Sequence, residues 1–229
     1  VLVQGNPDPR TGYLVDIKRI DMAVRRSIGS AIERSGRLDP AVAPMGPLAE
    51  LIRILTSDLG SALVWVRWRL GPYHAIQMGR DDPSTVLLRQ RFEFAAAHRL
   101  HVPDLSDEEN RRIFGKCNNP NGHGHNYVIE PCVAVSVDPG GGTTLPLDTI
   151  ERITNEHVIE RFDHKHLNLD TEQFGPGGVN PSVENIARVC YDLLEGPIRT
   201  LGAGVRLRSV TVWETDRTSC TYPADPPNT

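Results

Sequence analysis

Apolar positions in the first eighty residues recur at helical spacing. Ile20, Val24, Ile28 and Ile32 lie four apart, and Leu48, Leu51, Ile52 and Leu55 mark one side of a second helix whose Pro47 suits a first turn. The run ALVWVRWRLGPYHAIQM that follows reads as a pair of strands. Further on, Ile150, Ile153 and Val158 share a broad apolar side. Another helix is predicted after Asn180–Pro181, with Asn as cap, Pro in the first position, and an apolar side of Val183, Ile186, Ala187, Cys190 and Leu194. Leu207, Ser209, Thr211 and Trp213 alternate with Arg208, Val210, Val212 and Glu214, as in a strand. Both sides of that strand carry apolar residues, as expected of a sheet covered by helices on one side and meeting another subunit elsewhere. Phe92, Phe94 and Ala96 open an earlier strand, and the run after His125 supplies the next.

These elements form two unequal copies. NPDPRTGYLVDIKRI, PLAELIRILTSDLG and ALVWVRWRLGPYHAIQM correspond in order to VDPGGGTTLPLDTIERI, PSVENIARVCYDLLEG and VRLRSVTVWETDRTSCTY. The second copy is complete as strand–strand–helix–helix–strand–strand. The first begins at Val1 in what corresponds to its second strand, and an edge without its neighbour must pair or be covered. An α+β chain of tandem ββααββ domains is expected, with boundaries at 1–82 and 88–224.

Composition narrows the classes. An apolar fraction of 39% with 24% charged residues fits a soluble globular protein. No run approaches the ~20 apolar residues of a membrane helix, and no signal peptide is legible, so a cytoplasmic location is expected. Net charge is -4, and residues 1–80 hold 11 Lys and Arg against 7 Asp and Glu, while the remainder hold 14 against 22. Neither half presents a basic surface interleaved with aromatics, so nucleic acid is not an expected partner. Cys117, Cys132, Cys190 and Cys220 form no CxxC pair, and the composition is not that of a small disulfide scaffold.

The densest chemical signal is FGKCNNPNGHGHNY, Phe114–Tyr127. His123 and His125 are two apart, so on an extended strand both face one side, with Gly122 and Gly124 leaving room. Zinc needs three protein ligands to keep a catalytic position open, and His98 at the end of FAAAHRL can supply the third if the strands pair. Cys117, six residues before His123, has two readings. It is either a fourth ligand closing a structural site or a nearby thiol ionised by the metal and able to accept a proton.

Asp163–His164 can act as a carboxylate-oriented acid–base pair, or can simply end a helix. His157 and His166 read as solvent-facing or packing residues. Glu184 either faces a pocket or favours a first helical turn. Glu214 in VWET can accept two N–H groups from a planar amidine-like edge such as a pterin.

With these residues, 91–223 resembles a whole domain of the 6-pyruvoyl-tetrahydropterin synthase and 6-carboxy-tetrahydropterin synthase family. LSDEENRRIFGKCNNPNGHGHNY is similar to the pyruvoyl-type members, which have a longer interval between Cys and HGH. The resemblance implies tandem tunnelling (T-fold) domains and a homo-oligomer with active sites between neighbouring domains. It implies Zn2+ on His98, His123 and His125, Cys117 as catalytic base, and Asp163 with His164 in proton relay. It also implies Glu214 as pterin anchor, Glu184 as a pocket carboxylate, and Ser182 where relatives often have Thr. Lys116 and Arg99 enter as triphosphate contacts by charge and neighbourhood alone. The first copy has no HxH, cysteine or Asp–His pair; its Asp39 is followed by Pro40, and Arg69 aligns with Glu214. It is expected to be a scaffold or interface half.

The implied reaction turns 7,8-dihydroneopterin triphosphate, a reduced pterin triphosphate, into 6-pyruvoyl-tetrahydropterin with release of triphosphate, Mg2+ accompanying the substrate. One alternative is the 6-carboxy-tetrahydropterin synthase reaction of the queuosine pathway, which releases acetaldehyde. Another is a zinc- or pterin-binding scaffold without turnover.

Overall fold

Small residues, not large ones, form the most buried line of the first helix. In the computed structural model, which describes residues 1–34, 43–137 and 145–224, α1 (Ile17–Arg34) follows the short β1 (Leu2–Val3) and precedes α2 (Met45–Leu59). Ala23, Ser27 and Ala31 are buried on α1, while Ile20, Val24, Ile28 and Ile32 flank them half-buried. α1 packs on α2, which buries the expected Leu48, Leu51, Ile52 and Leu55. Arg26 of α1 reaches Asp58 at 3.2 Å, and the Arg19 guanidinium donates to the Asp58 carbonyl.

The described residues cluster into two units, Val1–Arg89 with Ala134–Thr149, and Gln90–Val133 with the residues from Ile150 onward. In the first, β2 (Leu63–Arg69) and β3 (His74–Gly79) form an antiparallel hairpin in register from Trp65↔Gly79 to Arg69↔Ala75. β1 pairs with the other side of β2, Leu2 opposite Trp65, and β4 (Thr85–Gln90) follows β3 in the sheet. β4 is a strand that sequence patterning did not separate from its surroundings, although Val86, Leu88 and Gln90 alternate inward. The turn at 138–144 and the Asp39–Pro40 position lie outside the described residues.

The second unit contains β5 (Phe92–His98), α3 (Asp107–Phe114), β6 (His123–Ser136) as far as Val133, α4 (Leu147–Thr154) from Ile150, α5 (Glu160–Phe162), β7 (Lys165–His166), α6 (Leu167–Asp170), α7 (Val183–Arg199), β8 (Val205–Thr215) and β9 (Thr218–Tyr222). A single π-helical turn, Asn155–Ile159, joins α4 to α5. The strands lie in the order β7-β5-β6-β8-β9. β5 and β6 run antiparallel from Phe92↔Ile129 to His98↔His123, and β7 runs parallel to β5. α7 packs on β8 and β9.

α7 starts two residues later than its Asn–Pro signal suggests. Ser182 is the cap, its hydroxyl accepting from the Asn185 N–H. Asn180 and Pro181 stay outside the helix because their polar atoms are used elsewhere, the Asn180 amide oxygen by His101 and the Pro181 carbonyl by His98. α3 went unread although Ser106 and Glu109 form a reciprocal capping box at its start. Phe94 stacks on Tyr127 at 5.0 Å and meets Phe162, which meets Phe174, so an aromatic column supports the paired ends of β5 and β6.

Candidate active site

The period-two rule sets the core of the site. His123 and His125 open β6 on one face, and the antiparallel register puts His98 directly opposite His123 and Ala96 opposite His125. Three imidazoles therefore converge, with one ring nitrogen from each lying within 4.8 Å of the others. His98 Nε2 is 3.1 Å from His123 Nε2. Two nitrogens bound to one tetrahedral zinc at roughly 2.0–2.1 Å would stand about 3.3 Å apart, so the spacing fits a shared ion. His125 Nε2 is buried and has no hydrogen-bond partner, as a ligating atom would. The donor set fits a metal that accepts neutral imidazoles.

Packing fixes which atom of His98 can bind. The ring is fully buried, and its Nδ1–H donates to the Pro181 carbonyl at 2.7 Å, leaving Nε2 for the cluster. Burial pushes its pKa down to about 4, against the opposing pull of that carbonyl, and the neighbouring histidines push the same way. Burial also lowers the pKa of His123. Neutral rings are the ligating form.

Gly122 is required here. Its φ is +71°, and a Cβ would meet His166 Nε2 at 2.6 Å and the His98 carbonyl at 3.0 Å.

Around the triad the structure brings some candidates together and leaves others apart. A Glu214 carboxylate oxygen lies 3.4 Å from His98 Nε2 and 3.8 Å from His125 Nε2. Cys117 sits in the one-turn 3-10 helix Gly115–Asn118, and its thiol pKa is raised by burial first and by the Glu214 charge second. The Tyr127 hydroxyl is buried without a hydrogen-bond partner, and its pKa is raised well above normal by burial, then Glu214, then Cys117. One carboxylate thus influences both nearby acids.

Asp163 and His164 lie along β5 from the triad. Asp163 accepts the Ala95 N–H at 2.8 Å, and its other oxygen holds His164 Nδ1 at 2.8 Å. The Ala95 N–H bond, then His164, lowers the Asp163 pKa. His164 is the described non-glycine residue with positive φ, 56°, and its side chain is 84% exposed. Holding a non-glycine residue there costs about 1–3 kcal/mol, a strain typical of sites that aim a side chain. A cavity of about 490 Å³ lies beside it, lined by Ala95, Ala97, Asn126, His125, His164 and His166.

Ser182 uses its hydroxyl as helix cap, and Glu184 is exposed in the first turn of α7; burial first and the Glu184 charge second raise the Cys220 pKa. Arg99 turns onto Asn118, whereas Lys116 is exposed. The four cysteines are free thiols. Sequence reasoning missed the Pro181 carbonyl, since a backbone acceptor 83 positions from His98 leaves no mark in composition or spacing.

Three histidines presented by two paired strands form a group that could hold a metal ion. The chain belongs to the 6-pyruvoyl tetrahydropterin synthase family, whose model its residues 87–225 match. It is 41% identical over 133 residues to human 6-pyruvoyl tetrahydrobiopterin synthase, covering 58% of this chain and 88% of the human one. The Dictyostelium discoideum 6-pyruvoyl tetrahydrobiopterin synthase is 33% identical over 138 residues, covering 60% of this chain and 96% of its own. The solved Caenorhabditis elegans 6-pyruvoyl tetrahydropterin synthase is 35% identical with a TM-score of 0.53, covering 62% of this chain and 96% of that one. Among the described residues no helix is long and apolar enough to cross a membrane.

Proposed function

We propose that this chain converts 7,8-dihydroneopterin triphosphate to 6-pyruvoyl-tetrahydropterin with release of triphosphate, and that residues 88–224 carry the chemistry. The observation that carries the reading is the convergence of His98, His123 and His125 beside Glu214, with Cys117 within its electrostatic reach. The names of the human and Caenorhabditis elegans relatives support the same reaction.

His98, His123 and His125 would hold zinc, which supplies Lewis acidity toward the side-chain oxygens of the substrate and so acidifies the adjacent carbon-bound protons. Cys117 takes such a proton as thiolate and returns it at the neighbouring carbon. Burial first and the Glu214 charge second raise its thiol pKa, and a cation held by the three histidines would oppose that shift. Glu214 accepts the N–H groups of the pterin edge. His164, oriented by Asp163, serves as the proton-exchange partner of Cys117. Ser182 and Glu184 complete the pterin pocket at the start of α7. Mg2+ accompanies the triphosphate.

Residues 1–82 form a degenerate copy without catalytic residues. Its succession β1-α1-α2-β2-β3 parallels β6-α4-α7-β8-β9, and in each the three strands are neighbours in that order. The working enzyme is a homo-oligomer, in which the exposed His164 serves a site bordered by a second domain. Alanine at Cys117 tests the assignment of the base: turnover should fall strongly with zinc still bound, whereas loss of zinc would make Cys117 a fourth ligand.

A further inference from the structure

Beyond His98 the chain leaves β5, and the peptide groups of residues 99–102 need partners that a neighbouring strand no longer supplies. Asparagine side chains take that place. Asn168 accepts the Arg99 N–H at 2.8 Å and donates to the Arg99 carbonyl at 3.0 Å. Asn118 donates to the Leu100 carbonyl at 2.9 Å, while the Leu100 N–H donates to the Cys117 carbonyl at 2.8 Å. Asn180 accepts from His101, and Asn110 both accepts from and donates to the Val102 peptide. A planar amide carries a donor and an acceptor in the same fork as a peptide, so asparagine can extend a sheet edge by one residue at a time.

Asn118 is the member closest to the chemistry. It is 7% exposed, adjoins Cys117, and is gripped from the other side by Arg99, whose Nη2 donates to its Oδ1 at 3.1 Å and whose Nε donates to its carbonyl at 3.3 Å. Leu100, whose N–H donates to the Cys117 carbonyl and whose carbonyl accepts from Asn118, is two residues from His98.

We propose that Asn118, locked by Arg99 and Leu100, is a positioning residue that sets the Cys117 thiol against the three-histidine cluster. The inference rests on the reading of Cys117 as base. Without the amide, the Gly115–Asn118 turn loses its side-chain bonds to Leu100, His101 and Arg99 Nη2 and keeps the backbone bonds from Leu100 to Cys117 and from Arg99 Nε to the Asn118 carbonyl. A thiol displaced by an ångström loses on the order of 100-fold in rate.

The test compares Asn118→Ala, Asn118→Asp and Arg99→Met in zinc-loaded protein. Asp keeps the acceptor facing Arg99 but removes the donor to Leu100. Arg99→Met releases the grip without altering the buried amide, so it remains informative if the Asn118 variants fail to fold. The readouts are zinc content, kcat and KM, and iodoacetamide alkylation of Cys117 against pH, followed on its peptide by mass spectrometry. The expected result is full zinc content, KM within about twofold, kcat lower by roughly 10- to 100-fold, and a displaced alkylation profile. An unchanged profile and kcat in a folded, zinc-bearing variant would overturn the proposal. So would a kcat loss that tracks lost zinc, which would make Asn118 purely structural. Cys117→Ala separates the two readings: if it retains full turnover, the base assignment fails, while the alkylation profiles still report on positioning.

Discussion

The Nδ1–H of His98 donates to the Pro181 carbonyl at 2.7 Å, and the opposite nitrogen of the same ring lies 3.1 Å from His123 Nε2. A buried imidazole is thereby held in one tautomer by a backbone group at the entrance to α7. The histidine cluster and the helix bearing Ser182 and Glu184 are mechanically linked, although nothing in the sequence joins them.

Replacing His98 by Ala is expected to abolish stoichiometric zinc binding and to destabilise the fold, because the ring is fully buried. His125→Ala should lose zinc with a smaller stability change, since its side chain is 19% exposed. Metal analysis and thermal melts separate the two effects. Chelation should lower the melting temperature of the wild type, as a ligand at about 100 times its Kd stabilises by roughly 2.7 kcal/mol. Equal melting of the metal-free and zinc-loaded forms would contradict the assignment.

Gly122→Ala should destabilise by about 1–3 kcal/mol and weaken metal binding, from positive φ together with the clash at His166 Nε2. Adding His166→Ala removes the clash but not the backbone strain. The double variant should therefore recover part of the stability lost by the single one, as read by denaturant melts.

Much of this site was legible because its signal is local. HxH on an extended run forces two rings to one side, and His98 at the end of the preceding strand needed only an antiparallel register to join them. The helices on Leu48–Leu55 and Val183–Leu194 followed from apolar spacing. Other features were illegible because tertiary bonds decide them. Asn180 and Pro181 look like a helix start, yet His101 and His98 claim their oxygens and the cap passes to Ser182. On α1 the isoleucines carry the periodicity, but the most buried line is Ala23, Ser27 and Ala31. The capping box of Ser106 and Glu109 is a local signal, carried by two residues three apart.

Glu214→Gln keeps the shape and removes the charge. Burial and Glu214 both raise the Cys117 pKa, so removing the charge should lower it, moving alkylation of the metal-free protein to lower pH. As pterin anchor, Glu214 should also set affinity, and KM should rise at least tenfold in the variant, about 1.4 kcal/mol for a charge-assisted hydrogen bond. An unaltered KM would remove Glu214 from the pterin pocket.

Asp163→Asn should disorient His164 and free the Ala95 N–H from a charged acceptor. Turnover is expected to fall by roughly 10²-fold or more with zinc content unchanged. Because the Asp163 pKa is lowered by the Ala95 N–H and His164, the bonds to its charged form persist at neutral pH and are lost as pH falls through that lowered value. A turnover rate insensitive to Asp163→Asn would mark the pair as structural.

The central claim is tested most directly by incubating the zinc-loaded protein with 7,8-dihydroneopterin triphosphate and resolving the products by mass. The account predicts 6-pyruvoyl-tetrahydropterin with one equivalent of triphosphate. Formation of 6-carboxy-tetrahydropterin with acetaldehyde, or no product from a folded, zinc-bearing sample, would contradict it.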